Sequence, residues 1–116
     1  MTVKRIVANI RTEDPDVASA FYAAIFELDL AMDHGWIKTL SSGQSMTTQL
    51  SVASEGGSGT DVPDLSIEVD NLDLVLSRVK AAGITIEYGP VSEPWGVTRF
   101  YIRDPFGTLI NVLAHQ

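Results

Sequence analysis

A strand-like stretch followed by a capped helix occurs twice in this chain, about 57 residues apart, so that Val7 aligns with Asp64 and Asp14 with Asn71. In the first copy, Lys4 to Ile10 sets Ile6, Ala8 and Ile10 against Arg5, Val7 and Asn9, the period of a strand with one apolar face. A helix signal follows in TEDPDVASAFYAAIFELDL: Asp14 suits the N-cap, Pro15 the first helical position, and Asp16 the positive end of the helix dipole. Val17, Ala20, Phe21, Ala24 and Ile25 then share a stripe at helical spacing. In the second copy, Leu65, Ile67 and Val69 alternate with Asp64, Ser66 and Glu68. NLDLVLSRVKAAG is the matching helix, with Leu72, Val75, Leu76 and Val79 apolar and Gly83 closing its C-terminal end.

Short β material follows each helix. It is GWIKTL and SMTTQLSV in the first copy, then ITIEYGP, GVTRFYIRD and TLINVL across a DPFG turn in the second. Thr48, Leu50, Val52, Phe100, Ile102, Ile110 and Val112 form the apolar faces, and Gln49, Arg99, Tyr101, Arg103 and Asn111 lie opposite. The expected class is α+β: two βαβββ modules, each with a helix on one side of a mostly antiparallel sheet. Module one runs from about residue 3 to 54 and module two from 64 to 113, inside one domain. EGGSGTDVP, Glu55 to Pro63, reads as a flexible linker between them.

Composition removes several function classes. The chain has no cysteine, which excludes disulfides, thiolate metal sites and cysteine nucleophiles, and its two histidines are His34 and His115. A formal net charge of −7 argues against nucleic acid as a partner, because binding phosphates needs clustered Lys and Arg. No run is long and apolar enough for a membrane span, and MTVKRIVANI has neither an apolar signal core nor a cleavage site, so a cytoplasmic protein is expected. At 116 residues a partner chain that shares the core is plausible.

The order of strand, Asp14 to Tyr22 helix, Gly/Ser linker, LSIEVDNLD, KAAGITI and EPWGVTRFYIRDPFGTLINVL resembles the vicinal oxygen chelate superfamily, the glyoxalase I, bleomycin-resistance and extradiol-dioxygenase proteins. The resemblance covers roughly Val3 to Leu113, and its most specific part is the DPFG turn with the preceding Trp-Gly and aromatic strand. It implies paired modules whose sheets curve around a cup, usually completed in a homodimer. In metal-dependent members, one ligand stands on the first and one on the last strand of each module, drawn from His and Glu. Those positions map to Val7, Gln49, Asp64 and Asn111. None is histidine, and valine offers no lone pair, so the resemblance implies neither a catalytic metal nor another cofactor.

What it then implies is a metal-free binding protein of the bleomycin-resistance-like type, sequestering an aromatic or cationic small molecule in a dimer cup. Rings stack on planar groups and carboxylates attract cations. The candidate ligand-binding residues are Trp36, Gln49, Asp64, Glu68, Trp95, Arg99, Tyr101 and Asn111. Arg5 and Arg99 would instead favour an anion, or pair with Asp64 and Glu68. The alternative is an enzyme, a glyoxalase-like lyase or isomerase or a dioxygenase, with an oxygen-ligand metal site at Gln49, Asp64 and Asn111 or with Asp64 as a general base.

Overall fold

Both helices start where their capping residues stand. In the computed structural model, which describes residues 1–116, α1 spans Pro15–Phe26 and the Asp14 carboxylate accepts hydrogen bonds from the backbone N–H groups of Asp16 and Val17. Helix α2 spans Leu72–Ala81 and the Asn71 side chain accepts from the Leu74 N–H. Each cap satisfies amide donors that have no partner inside the helix. Gly83 follows α2 with φ +72°, the left-handed turn that glycine adopts without steric cost.

The strands form two sheets. β1 (Asp29–Asp33) and β2 (Lys38–Ser41) make an antiparallel hairpin. β3 (Leu65–Glu68), β4 (Tyr88–Ser92), β5 (Val97–Arg103) and β6 (Leu109–His115) form the second sheet in the order β3-β6-β5-β4. β3 runs parallel to β6 and the other pairs are antiparallel. Phe100, Ile102, Ile110 and Val112 project from one face of this sheet and are fully buried against Tyr22 and Ile25 of α1 and Val75 and Val79 of α2. The alternation of β5 and β6 and the stripe of α2 therefore build the core that their sequences predict. No helix is long and apolar enough to cross a membrane.

The first half departs from its expected pattern in several places. The helix stops at Phe26 because Glu27 takes a left-handed conformation, φ 56°, and β1 begins at Asp29, inside the stretch whose pattern predicts helix. The buried positions of α1 are Ala18, Tyr22 and Ile25; Val17, Ala20 and Ala24, expected inward, are exposed. Residues 4–10 and 46–53 join no strand ladder, and the exposed Thr48 hydroxyl donates to the Lys4 carbonyl at 3.2 Å. Leu50 and Val52 are exposed. The exposed strand-like segments share one cause: an apolar strand face is buried only when a sheet and a packed layer receive it, and the first sheet has two strands, neither from these segments. In the second half, ITIEYGP enters a strand only at Tyr88.

The DPFG turn locks the halves together. Asp104 Oδ1 accepts from the N–H groups of Phe106 and Thr108 at 2.8 and 2.9 Å, and Oδ2 accepts from the buried Tyr22 hydroxyl at 2.8 Å. Burial alone would raise the Asp104 carboxyl; the hydrogen bonds from Thr108, Tyr22 and Phe106 outweigh it and hold the group below its ordinary range. Burial, then the bond and charge of Asp104, push the Tyr22 hydroxyl upward.

Candidate functional site

Strand β5 turns Arg99, Tyr101 and Arg103 away from the helices, and β6 turns Asn111 the same way opposite Tyr101. Arg99 is 3% exposed. Its Nε donates to Glu93 Oε2 at 2.8 Å, Nη1 to the Tyr101 hydroxyl at 3.1 Å and Nη2 to the Gly57 carbonyl at 3.2 Å. Its guanidinium also lies 5.0 to 5.4 Å from the ring centroids of Trp95, Tyr101 and Tyr88. Three aromatic rings and a carboxylate are the chemistry of a cation receptor, and its occupant here is the chain's own arginine.

Glu93 completes the cluster. It accepts from Arg99, from Ser58 at 3.0 Å and from Tyr88 at 3.2 Å. Burial would raise its carboxyl, but the hydrogen bonds from Arg99, Ser58 and Tyr88 outweigh that and hold it below the ordinary range. The sequence reading missed both Glu93 and Tyr88: an acid next to proline in a turn reads as solvated, and the six-residue separation of Glu93 from Arg99 spans a turn with no helical or strand period. It also offered Asp64 and Glu68 as partners for Arg99, whereas the structure pairs Arg99 with Glu93. Beside this cluster a crevice of about 260 Å³ lies between Gly59, Thr60 and Asp61 on one side and Tyr88, Tyr101 and Arg103 on the other.

The remaining sequence candidates are dispersed or already engaged. Asp64 Oδ2 accepts from the Leu109 N–H at 2.8 Å, fastening β3 to β6. Glu68 pairs with His115 Nδ1 at 2.8 Å on an exposed surface. Trp36 is 80% exposed in the loop between β1 and β2, and Gln49 is exposed outside any strand. Trp95 is half exposed, with its ring on Arg99. Asn111 is buried: its Nδ2 donates to the Ser66 hydroxyl at 3.1 Å, and its Oδ1 has no hydrogen-bond partner.

The family model for the glyoxalase/bleomycin resistance protein/dioxygenase superfamily matches residues 3–112. The chain belongs to this superfamily. TioX from Micromonospora sp. ML1 is 23% identical, with TM-score 0.70 and 97% of each chain covered. TnmS3, an antibiotic binding protein from Streptomyces sp. CB03234, is 19% identical over 92% of this chain and 91% of its own, with TM-score 0.64. A lactoylglutathione lyase from Agrobacterium tumefaciens is 23% identical over 88% and 86%, with TM-score 0.62. These likenesses show the fold.

The superfamily's metal-dependent chemistry can be tested against the donors at the four mapped positions. Val7 has no donor atom, Gln49 and Asn111 are neutral amides, and the single carboxylate, Asp64, has one oxygen committed to a backbone N–H. No group of three or more His, Cys, Asp or Glu side chains converges anywhere in the molecule. A catalytic Zn, Ni, Mn or Fe ion needs imidazole nitrogen and anionic oxygen, so these residues do not fit one.

Proposed function

We propose that this superfamily member is a small-molecule binding protein of the bleomycin-resistance-like kind, which sequesters an aromatic or cationic ligand without metal chemistry. The observation that carries the reading is the donor set just described, Val7, Gln49, Asp64 and Asn111. What that set leaves for recognition is aromatic: Tyr88 and Tyr101 line the crevice, and Trp95 lies half exposed on Arg99. The likeness to TnmS3, described as an antibiotic binding protein, supports the same class.

The ligand cup belongs to a homodimer in this proposal, with modules of residues 3–54 and 64–113 from two chains. A folded monomer of 12.6 kDa exposes about 6,200 Å², whereas this chain exposes 7964 Å². The excess of roughly 1,800 Å² is the area that one side of a large, permanent interface covers. Val3, Ile6, Met46, Leu50 and Val52 are exposed in the segments without strand partners. In this proposal the second copy covers these side chains.

A thermal-shift titration of chelator-stripped protein separates this reading from the enzymatic one, since anything that binds the native state raises its melting temperature. Mg, Mn, Fe(II), Ni and Zn are expected to give no saturable shift, while members of a panel of planar aromatic cations do. A saturable metal shift that disappears in Asn111→Ala would replace the proposal with the second reading, a lyase, isomerase or dioxygenase using an oxygen site at Gln49, Asp64 and Asn111. The orphaned Asn111 oxygen is the feature that favours that second reading.

A further inference from the structure

The Gly/Ser stretch expected to be a flexible spacer is folded onto the second sheet. Its turn is closed by the Gly56 N–H donating to the Thr60 carbonyl at 2.8 Å and by the Thr60 N–H donating to the Gly57 carbonyl at 3.0 Å. It is fastened to the sheet face by four hydrogen bonds. Arg99 donates to the Gly57 carbonyl, Tyr101 to the Asp61 carbonyl at 3.1 Å, and Ser58 to Glu93, while the hydroxyls of Thr60 and Tyr101 share a bond of 3.0 Å.

Two glycines permit that approach. A Cβ on Gly56 would overlap the Asp61 carbonyl, Thr60 Oγ1 and the Tyr101 hydroxyl, and one on Gly57 would stand 2.8 Å from the Trp95 ring. The spacer composition therefore encodes close packing over Tyr101 and Trp95. Yet no residue from Gly56 to Asp61 is buried, so closure depends on hydrogen bonds with little apolar burial behind it. Segments attached in that way open before the core does. Beneath lie Arg99 and Tyr101, each 3% exposed, and at the edge lies the crevice bounded by Gly59, Thr60 and Asp61.

We propose that residues 56–61 are a lid. It opens as a unit while β5 and β6 stay paired, uncovering Tyr101 and Tyr88 and widening the crevice, and the bonds from Arg99 to Gly57 and from Tyr101 to Asp61 are its latch. That the opening admits a ligand rests on the binding reading above; the opening itself is a property of the ligand-free chain.

Amide hydrogen exchange on the ligand-free protein tests it. The Gly56 and Thr60 amides are expected to share one protection factor, at least about a hundredfold below that of the ladder amides of β5 and β6. Gly56→Ala wedges the turn apart and is expected to accelerate Thr60 exchange about tenfold, with the ladder amides unchanged. In a Trp36→Phe background, where Trp95 is the single tryptophan, acrylamide quenching rises with it. Should Gly56→Ala fail to fold, Ser58→Ala removes one of the four bonds that fasten the segment to the sheet, and is expected to act in the same direction with a smaller effect. Protection of Gly56 and Thr60 equal to that of the β5–β6 ladder, in the wild type and in the foldable variant, would overturn the lid. That failure would leave the binding reading standing, because no ligand takes part.

Discussion

Of the sixteen buried residues, three lie in residues 1–54, all on α1, and thirteen lie in residues 75–112; of the fifteen large apolar side chains left exposed, eleven lie in residues 1–54. The two halves carry the same strand-helix pattern, so periodicity alone does not decide what is buried. In the second half, β6 has β3 on one side and β5 on the other, and the face of this sheet receives both helices. In the first half, the stretches of residues 4–10 and 46–53 have strand-like alternation but no ladder. Alternation specifies which face would be apolar; burial needs a neighbouring strand and a covering layer to be present. In the proposed homodimer, the partner chain supplies what the first half lacks.

The largest effect expected is in the complete half. Phe100→Ala deletes a side chain with no exposure at the centre of the core and should cost about 3–5 kcal/mol in urea unfolding. A cost below 1 kcal/mol would show that the second sheet is not the stable part of the molecule.

Acid is the next lever. The carboxyls of Asp104 and Glu93 are both held below their ordinary range in the folded chain. Their contribution to stability is therefore complete above the unfolded carboxylate range, about pH 4, and is lost as pH falls through the lower folded values. Circular dichroism with tryptophan fluorescence should show the melting temperature flat from neutral pH to about pH 5 and falling below about pH 4. A melting temperature that rises on acidification would contradict these assignments.

Tyr22→Phe removes the hydroxyl that joins α1 to the DPFG turn and should cost about 1–3 kcal/mol, since the acceptor is a carboxylate that keeps its two backbone donors. The variant should also flatten part of the acid transition. The smallest effect on chain stability is expected for Leu50→Ser, within about 0.5 kcal/mol under conditions that hold the chain monomeric. Its effect should instead be on association, which would sharpen the contrast between the halves.

Much of the fold was legible because its determinants are local. Asp14 and Asn71 cap helices with their own side chains, Gly83 takes the left-handed turn, and β5 and β6 set Phe100, Ile102, Ile110 and Val112 on one face. The site was less legible because its determinants are not local. Arg99 could be placed on the polar face, but its pairing with Glu93 and its bond to Gly57, 42 residues away, depend on how a turn and a linker return to the sheet. The linker misled for a related reason: glycine and serine suit both a loose spacer and a turn that packs too closely for a Cβ, and only the position of Tyr101 and Trp95 distinguishes them. The stripe of α1 was misplaced because Val17, Ala20 and Ala24 are apolar without being covered by this chain.

Sedimentation velocity of the intact protein at micromolar concentration tests whether a second copy covers the first half. A species of twice the 12.6 kDa chain mass is expected, converted towards monomer by Leu50→Asp while the circular dichroism of the fold is retained. A wild-type protein that sediments as a stable monomer across that range would contradict it, and the exposed apolar segments of the first half would then need another explanation.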